Sequence, residues 1–541
     1  MVSFEEKNRE PYEEEKEELL SNKVTTESHT HFAGRVPAGS QIPICVAKNG
    51  VNHVINKAGS KKNVFSIGLA CSECFSGPRL AELLRPGFEY EQKVMMDLLA
   101  GNHAAPLSIH TSGGVSAALS DFISALEPHL PWEGKDTLDW CVSLQLEGAS
   151  AVWAGIDMLL QLQMIKHGND TKRKMVAVGA KSYHGPPSTS LGSSCPLFTK
   201  HNQTTYPVPI AGESYDEKEL LVQFEDFLEK HSEDVGVLLI EPQWGSSQVG
   251  LPWPKDLVKA YIKKAQAKGI LVLADEIMCG LGRHGQGKMF LSDCWELDPD
   301  AVTFGKAIGG GVFPLSGAVI KTGGQLLGSK GRTVMQSHTF AGSSVRALMT
   351  GVEVLNTLPL YFHSIKKLGD EMKVIFRHLE KISNGLIYSQ GQGLMWGALV
   401  SRKGIHKDEA VRAKTIACLK KNLEKEGVLP YFVPVGGFMV SPVVDIDVGT
   451  LYTIAEKMEV ALKTTADEVN WVNVDALSIS IRVSLQLDNE FCTSEVRKQC
   501  LSHLHFARTC TSCGTFVRPE LRKRFSLGLL ELESFVEPVE S

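Results

Sequence analysis

From about residue 97 to residue 360 the chain repeats one pattern: a short apolar run, a turn, then a longer stretch of helical period. The apolar runs are Trp140 to Leu146, Lys174 to Ala180, Val235 to Ile240, Ile270 to Ala274 and Ala301 to Phe304. Nearly continuous apolar strands with helices between them belong to a sheet buried on both faces, the environment of parallel strands joined by helical crossovers. The segment before Ile270 shows how one crossover is encoded. Pro254 opens it, Leu257, Ala260, Tyr261 and Ala265 share a helix face, and Gly269 stands where a left-handed C-terminal cap is needed. The pattern predicts an α/β core with a mostly parallel central sheet over residues 97–360.

The flanks read differently. From Ile42 to Leu69 short apolar pieces alternate with Gly, Asn and Lys in the manner of hairpins. A helical stretch carrying Val345, Met349, Val352, Val354 and Leu355 leads out of the core, and residues 361–515 return to mixed strands and helices. Residues 31–96 and 361–515 are expected to build a smaller α+β domain together, with 1–30 as an acidic arm and 516–541 as a tail.

Composition narrows the function classes. Of 541 residues 43% are apolar, enough for a large core split over more than one domain. With 56 Lys+Arg against 62 Asp+Glu the net charge is -6, and no basic stripe offers itself to nucleic acid or an anionic membrane. Met1 to Leu20 carries eight glutamates, no apolar signal core and no Arg-rich leader, and no stretch approaches the ~18 uncharged apolar residues of a membrane span. A soluble, cytoplasmic protein acting on a small molecule is the expectation. The twelve cysteines are scattered, which fits a reducing compartment. The pairs Cys71/Cys74 and Cys510/Cys513 have zinc-ligand spacing but no knuckle glycines or histidines around them, so free thiols and no metal are expected.

Residues at the ends of the apolar runs carry the chemistry. Asp275 follows Ile270 to Ala274, and Lys306 lies in a turn just past Ala301 to Phe304. A lysine and a carboxylate so placed suit an enzyme that holds pyridoxal 5'-phosphate as a Schiff base. The acid keeps the pyridine nitrogen protonated, and the protonated ring draws electrons from a bond broken at Cα. Gly148 and Ala149 sit between a strand and a helix, where backbone N–H groups bind a phosphate without special side chains.

The segment Ala274-Asp275-Glu276-Ile277-Met278-Cys279-Gly280-Leu281-Gly282-Arg283-His284-Gly285 resembles the D-E-V-x-x-G-x-G-R-x-G signature of class III aminotransferases, which are fold type I pyridoxal phosphate enzymes. Pro299 to Gly311, with Pro314 and Leu315, resembles the same family's lysine block. The resemblance implies that Lys306 is both the Schiff-base partner and the base that moves a proton at the substrate's Cα, with Asp275 at the ring nitrogen. It implies too that Tyr183, in Ser182-Tyr183-His184-Gly185, stacks on one face of the ring while Ile277 packs on the other, His184 being structural. Glu241, in Glu241-Pro242-Gln243-Trp244-Gly245, matches an element that sets hydrogen bonds in the site. Thr339, in Ser337 to Gly342, matches a threonine that bonds the phosphate of the neighbouring subunit's cofactor, which implies a homodimer with shared active sites. Arg482, in Ile481-Arg482-Val483, matches an arginine whose planar fork grips the substrate carboxylate, an edge-strand salt bridge being the other reading.

Three positions depart from the family pattern. Where Asn-Ser-Gly-Thr-Glu-Ala is usual this chain has Leu146-Glu147-Gly148-Ala149-Ser150-Ala151, so that either Glu147 turns away or phosphate binding is weakened. Trp244 and Met278 stand where glutamines are usual and are expected to remove polar contacts near the reacting end. The implied reaction transfers an amino group from an amino acid or amine to a keto acid or aldehyde. Racemisation, epimerisation or an aminomutase reaction is the second reading, since such relatives use the same lysine and aspartate. A non-catalytic scaffold is the third, and the presence of both Lys306 and Asp275 speaks against it.

Overall fold

The computed structural model describes residues 44–49, 51–57, 60–68, 73–109, 114–132, 139–184, 203–324, 340, 342, 344–400, 409–433 and 435–469. All fall in the first of the two units, 1–472 and 473–541, into which the chain divides. Thr339, Arg482, Cys71, Cys510 and Cys513 lie outside the described residues.

Three strands come first, β1 (Ile44–Asn49), β2 (Asn52–Lys57) and β3 (Ser60–Ser66), each antiparallel to the next. Helices α1 (Gly77–Leu99) and α2 (Ala117–Leu126) lead to the central sheet. Its strands are β4 (Trp140–Gln145), β5 (Met175–Gly179), β6 (Gln203–Tyr206), β7 (Val235–Ile240), β8 (Leu271–Asp275), β9 (Ala301–Phe304) and β10 (Ser316–Lys321). Between them run α3 (Gly148–His167), α4 (Glu217–His231), α5 (Lys255–Ala267) and the one-turn α6 (Leu291–Cys294). The spatial order is β4-β10-β9-β8-β7-β5-β6. Only β10 runs against its neighbours, so the carboxyl ends of β4 through β9 share one edge.

Alternation along the strands divides the core into two layers. Val237, Leu239 and Leu273 face Val152, Ile156 and Leu159 of α3. Leu238, Ile240, Val272 and Ala274 face Phe224 of α4 and Val258 and Tyr261 of α5. Both faces are covered, which is why these strands are apolar throughout. Helix α5 begins after Pro254, and Gly269 beyond its end has φ of 78°. Two strands had no apolar signature of their own. β6 is the polar run Gln-Thr-Thr-Tyr at the sheet edge, and β10 follows so closely on the glycines of the lysine block that its apolar residues merge with that loop in the sequence.

The chain continues through α7 (Val345–Thr357), α8 (Phe362–Ile382), β11 (Ile387–Gln392), β12 (Met395–Val400), α9 (Glu409–Lys425), β13 (Val428–Leu429), β14 (Tyr431–Val433), β15 (Gly437–Val440) and α10 (Val448–Glu468). β11, β12, β15 and β14 form an antiparallel sheet, while β13 leaves it to pair in parallel with β3, Val428 opposite Phe65. Ser76 bonds Asp445 through its amide at 2.8 Å and its hydroxyl at 2.7 Å, and the Arg283 guanidinium donates to the carbonyls of Pro442 (2.7 Å) and Glu73 (3.2 Å). The smaller α+β part is thus a joint product of the N- and C-terminal segments. No helix among the described residues is long and apolar enough to cross a membrane.

Candidate active site

In open α/β sheets ligands sit outside the carboxyl ends of the strands, because the turns there present helix N-termini and side chains to a common crevice. Here that edge gathers most of the residues singled out from the sequence. Gly148 follows β4, Tyr183 and His184 follow β5, Glu241 follows β7, Asp275 ends β8, and Lys306 follows β9. Asp275 lies opposite Thr303 in the parallel ladder, one turn from Lys306.

The acid is held from three sides. Asp275 is buried, its Oδ2 lies 2.7 Å from His184 Nδ1, and its Oδ1 accepts from the Thr303 hydroxyl at 3.1 Å and the Ile277 amide at 3.2 Å. Burial alone pushes its pKa up; the bond and charge of His184, helped by Ile277 and Thr303, outweigh burial and leave it below the ordinary carboxylate range. His184 mirrors this. Burial pulls its pKa down, and the bond to Asp275 with the charges of Asp275 and Glu241 raises it above the ordinary value. Each partner therefore favours the charged form of the other. His184, read from sequence as structural, is the most direct partner of the acid. Its signal in the sequence was its place: a histidine just past one strand, on the edge where a carboxylate ends another.

Glu241 completes a buried cluster. It accepts from the Gly245 amide at 3.2 Å and from the Ser247 hydroxyl at 3.4 Å. Burial raises it to about 7, with His184 pulling down and Asp275 adding to the rise. Glu276, the next residue after Asp275, turns the other way and accepts from the amides of Leu291 and Ser292 at the start of α6. Burial lifts it to about 7 against the Ser292 bonds. Its task is to fix the loop after β8.

Lys306 starts a short 3-10 turn (Lys306–Gly309) with φ of 48°, a left-handed conformation that L-residues other than Gly, Asn and Asp rarely adopt. Gly310, with φ of 67°, closes the turn. The lysine is half-buried, and among the described residues no hydrogen bond engages its amine. Cys74 lies beneath the same turn, its thiol 3.4 Å from the Ala307 carbonyl and raised by burial to about 12. Ile277 joins the pieces. A Cβ on Gly148 would fall 2.8 Å from Ile277 Cδ1, and one on Gly305 3.3 Å from Ile277 Cγ2, so the start of α3 and the lysine turn both lean on this one side chain.

Helix α3 begins with Glu147 as N-cap residue and makes no side-chain cap bond. Ala149 is buried and Glu147 exposed. The departure at Trp244 has a different meaning from the one expected. Its indole is buried and stacked on Trp253 at 4.7 Å, inside the apolar layer with Tyr261 of α5, because the turn from Trp244 to Leu251 directs it inward. The indole is part of the core layer. Met278 packs its sulfur over Gly245 and joins Val249, Met395 and Met439.

A model of the family described as aminotransferase class-III matches residues 108–435. Ornithine aminotransferase 2 of Staphylococcus aureus is 30% identical over 192 residues, 35% of this chain and 46% of that protein. Ornithine aminotransferase of Staphylococcus carnosus is 29% identical over 235 residues, 40% of this chain and 56% of that protein. The chain thus spans about half the length of the curated relatives it matches. In fold, a thermostable (S)-enantioselective omega-transaminase from Thermomicrobium roseum superposes with a TM-score of 0.66 at 19% identity, over 82% of this chain and 98% of that one.

Proposed function

We propose that this chain, which belongs to the class-III aminotransferase family, holds pyridoxal 5'-phosphate and moves an amino group from an amino acid or amine to a keto acid or aldehyde. The observation that carries this reading is the shared edge: Lys306, with its amine unengaged among the described residues, and Asp275, held ionised by His184, end neighbouring strands.

The residues present fit the cofactor. The three donors on Asp275 leave room for a fourth, since a carboxylate has about four lone-pair sites, and a ring N–H⁺ is the donor such a site wants. Bound there, the cofactor supplies the electron sink for the bond broken at the amino carbon. His184 keeps Asp275 ionised and aimed. Lys306 Nζ takes the proton from the substrate Cα and returns it, a task suited to an amine not engaged elsewhere. Ile277 limits one face of the ring and Tyr183 the other. Glu241, its pKa raised by burial, holds the Gly245 turn against the site. The backbone at Gly148 and Ala149 takes the phosphate, and Arg482 the substrate carboxylate. The functional form in this proposal is a cytoplasmic homodimer in which Thr339 reaches the neighbour's phosphate. Exposed Phe88, Met95, Met96 and Leu99 along α1 are consistent with a second copy covering them.

Adding pyridoxal 5'-phosphate to the purified chain should produce an absorbance band at the edge of the visible, absent in Lys306→Ala. Single amino acids should then convert the loaded protein to its amino form. Scrambled Cα stereochemistry without that conversion would instead favour racemisation, and a colourless protein would sink the proposal.

A further inference from the structure

The two ends of the site are built to different standards, and the difference centres on Glu147. A helix start attracts anions through its unpaired N–H groups and its dipole. At α3 the N-cap side chain makes no bond to those donors. The Gly148 backbone that presents them lies against Ile277, as does Gly305 beside the lysine, so the helix start belongs to the same crevice as Lys306. The described side chains of the first turn add little for a dianion. Ala149 offers no hydroxyl. Ser150 Oγ lies 3.5 Å from Glu147 Oε1, so the exposed carboxylate sits beside the first turn of the helix. Among the described residues no lysine or arginine forms an ion pair with Glu147. A full negative charge therefore stands where the fractional positive charge of the dipole is meant to act, and its repulsion is twice as large for a phosphate dianion as for a monoanion.

We propose that Glu147 sets vitamer selectivity: it weakens the hold on the phosphate group, so that this site distinguishes pyridoxal 5'-phosphate from phosphate-free pyridoxal far less than its backbone cradle alone would. The inference rests on the cofactor site proposed above. Affinity is then concentrated at the Lys306 and Asp275 end, whose contacts both vitamers share.

The test titrates the full chain with pyridoxal 5'-phosphate and, separately, with pyridoxal, reading the dissociation constants by equilibrium dialysis. Glu147→Gln keeps the shape and removes the charge; Glu147→Ser also restores a capping hydroxyl. Both variants should bind pyridoxal 5'-phosphate at least tenfold more tightly than the unaltered chain and pyridoxal within twofold of it. A ratio of the two constants that stays unchanged in both variants overturns this inference and leaves the cofactor site standing. Tight binding of pyridoxal 5'-phosphate with no binding of pyridoxal overturns this inference alone, whereas failure of pyridoxal 5'-phosphate to bind the unaltered chain and both variants overturns both.

Discussion

The acid end and the anion end of the site lie on the same sheet edge and are stabilised in opposite ways. Around Asp275 the partners among the described residues are side chains and an amide packed against it, and the bond from His184 offsets part of the cost of burying a carboxylate. Around Gly148 the donors are backbone, the nearest charge is a repelling and exposed one, and a single glycine keeps the helix close to Ile277. The chemistry of bond breaking depends on the first end, whereas the second only anchors. A site can lose quality in its anchor and still keep its reactivity, provided the electron-withdrawing end stays overdetermined.

The comparison can be broken most severely at the residue between the two ends. Lys306→Ala should lower transfer activity by ~10⁴-fold or more, measured as amino-acid-dependent conversion of the loaded protein, since covalent attachment and proton transfer are lost together. If the acid end is a true charged pair, His184→Ala leaves a buried carboxylate unmatched and should destabilise the fold by ~3–5 kcal/mol in denaturant unfolding, while Asp275→Asn with His184→Ala together should cost less than the two single changes summed.

Acidity sharpens the contrast further. The depressed pKa of Asp275 means that its pairing stabilises the fold above the unfolded value and is lost as pH falls through the folded one. Glu241 works with the opposite sign. Its folded value of about 7 lies above the ordinary 4.5, so the native state binds the extra proton and stability declines as pH rises between those values, by up to ~3 kcal/mol. Glu241→Gln should flatten the melting temperature over that window, and an unchanged slope would count against a buried, protonated Glu241. The smallest effect belongs to the anion end: Gly148→Ala should cost ~1 kcal/mol in stability as Ile277 moves aside, with Ile277→Val recovering part of it in a double-mutant cycle.

Much of this was legible in the sequence. The five apolar runs are strands β4, β5, β7, β8 and β9; β7, covered on both faces, is apolar throughout, and β4 at the sheet edge carries Ser143 and Gln145. The same logic hid β6 and β10, one polar at an edge and one fused in pattern to a glycine-rich loop. Positions for Asp275 and Lys306 followed from strand ends and motif spacing. Their partners did not, because His184 reaches Asp275 across 91 residues and Thr303 reaches it across 28, distances that periodicity does not encode. The inward packing of Trp244 was hidden for a related reason: a residue in a turn beside a site faces it or the core according to backbone geometry alone.

The pairing of β13 with β3 has a consequence for biosynthesis. The first three strands emerge from the ribosome long before Val428 exists, so their outer edge stays without its fourth strand while the whole intervening α/β core is being made. At roughly 5–20 residues per second that interval lasts tens of seconds. Throughout it β3 offers open backbone groups to any stray polypeptide, so truncation before Val428 should favour aggregation over a smaller folded protein.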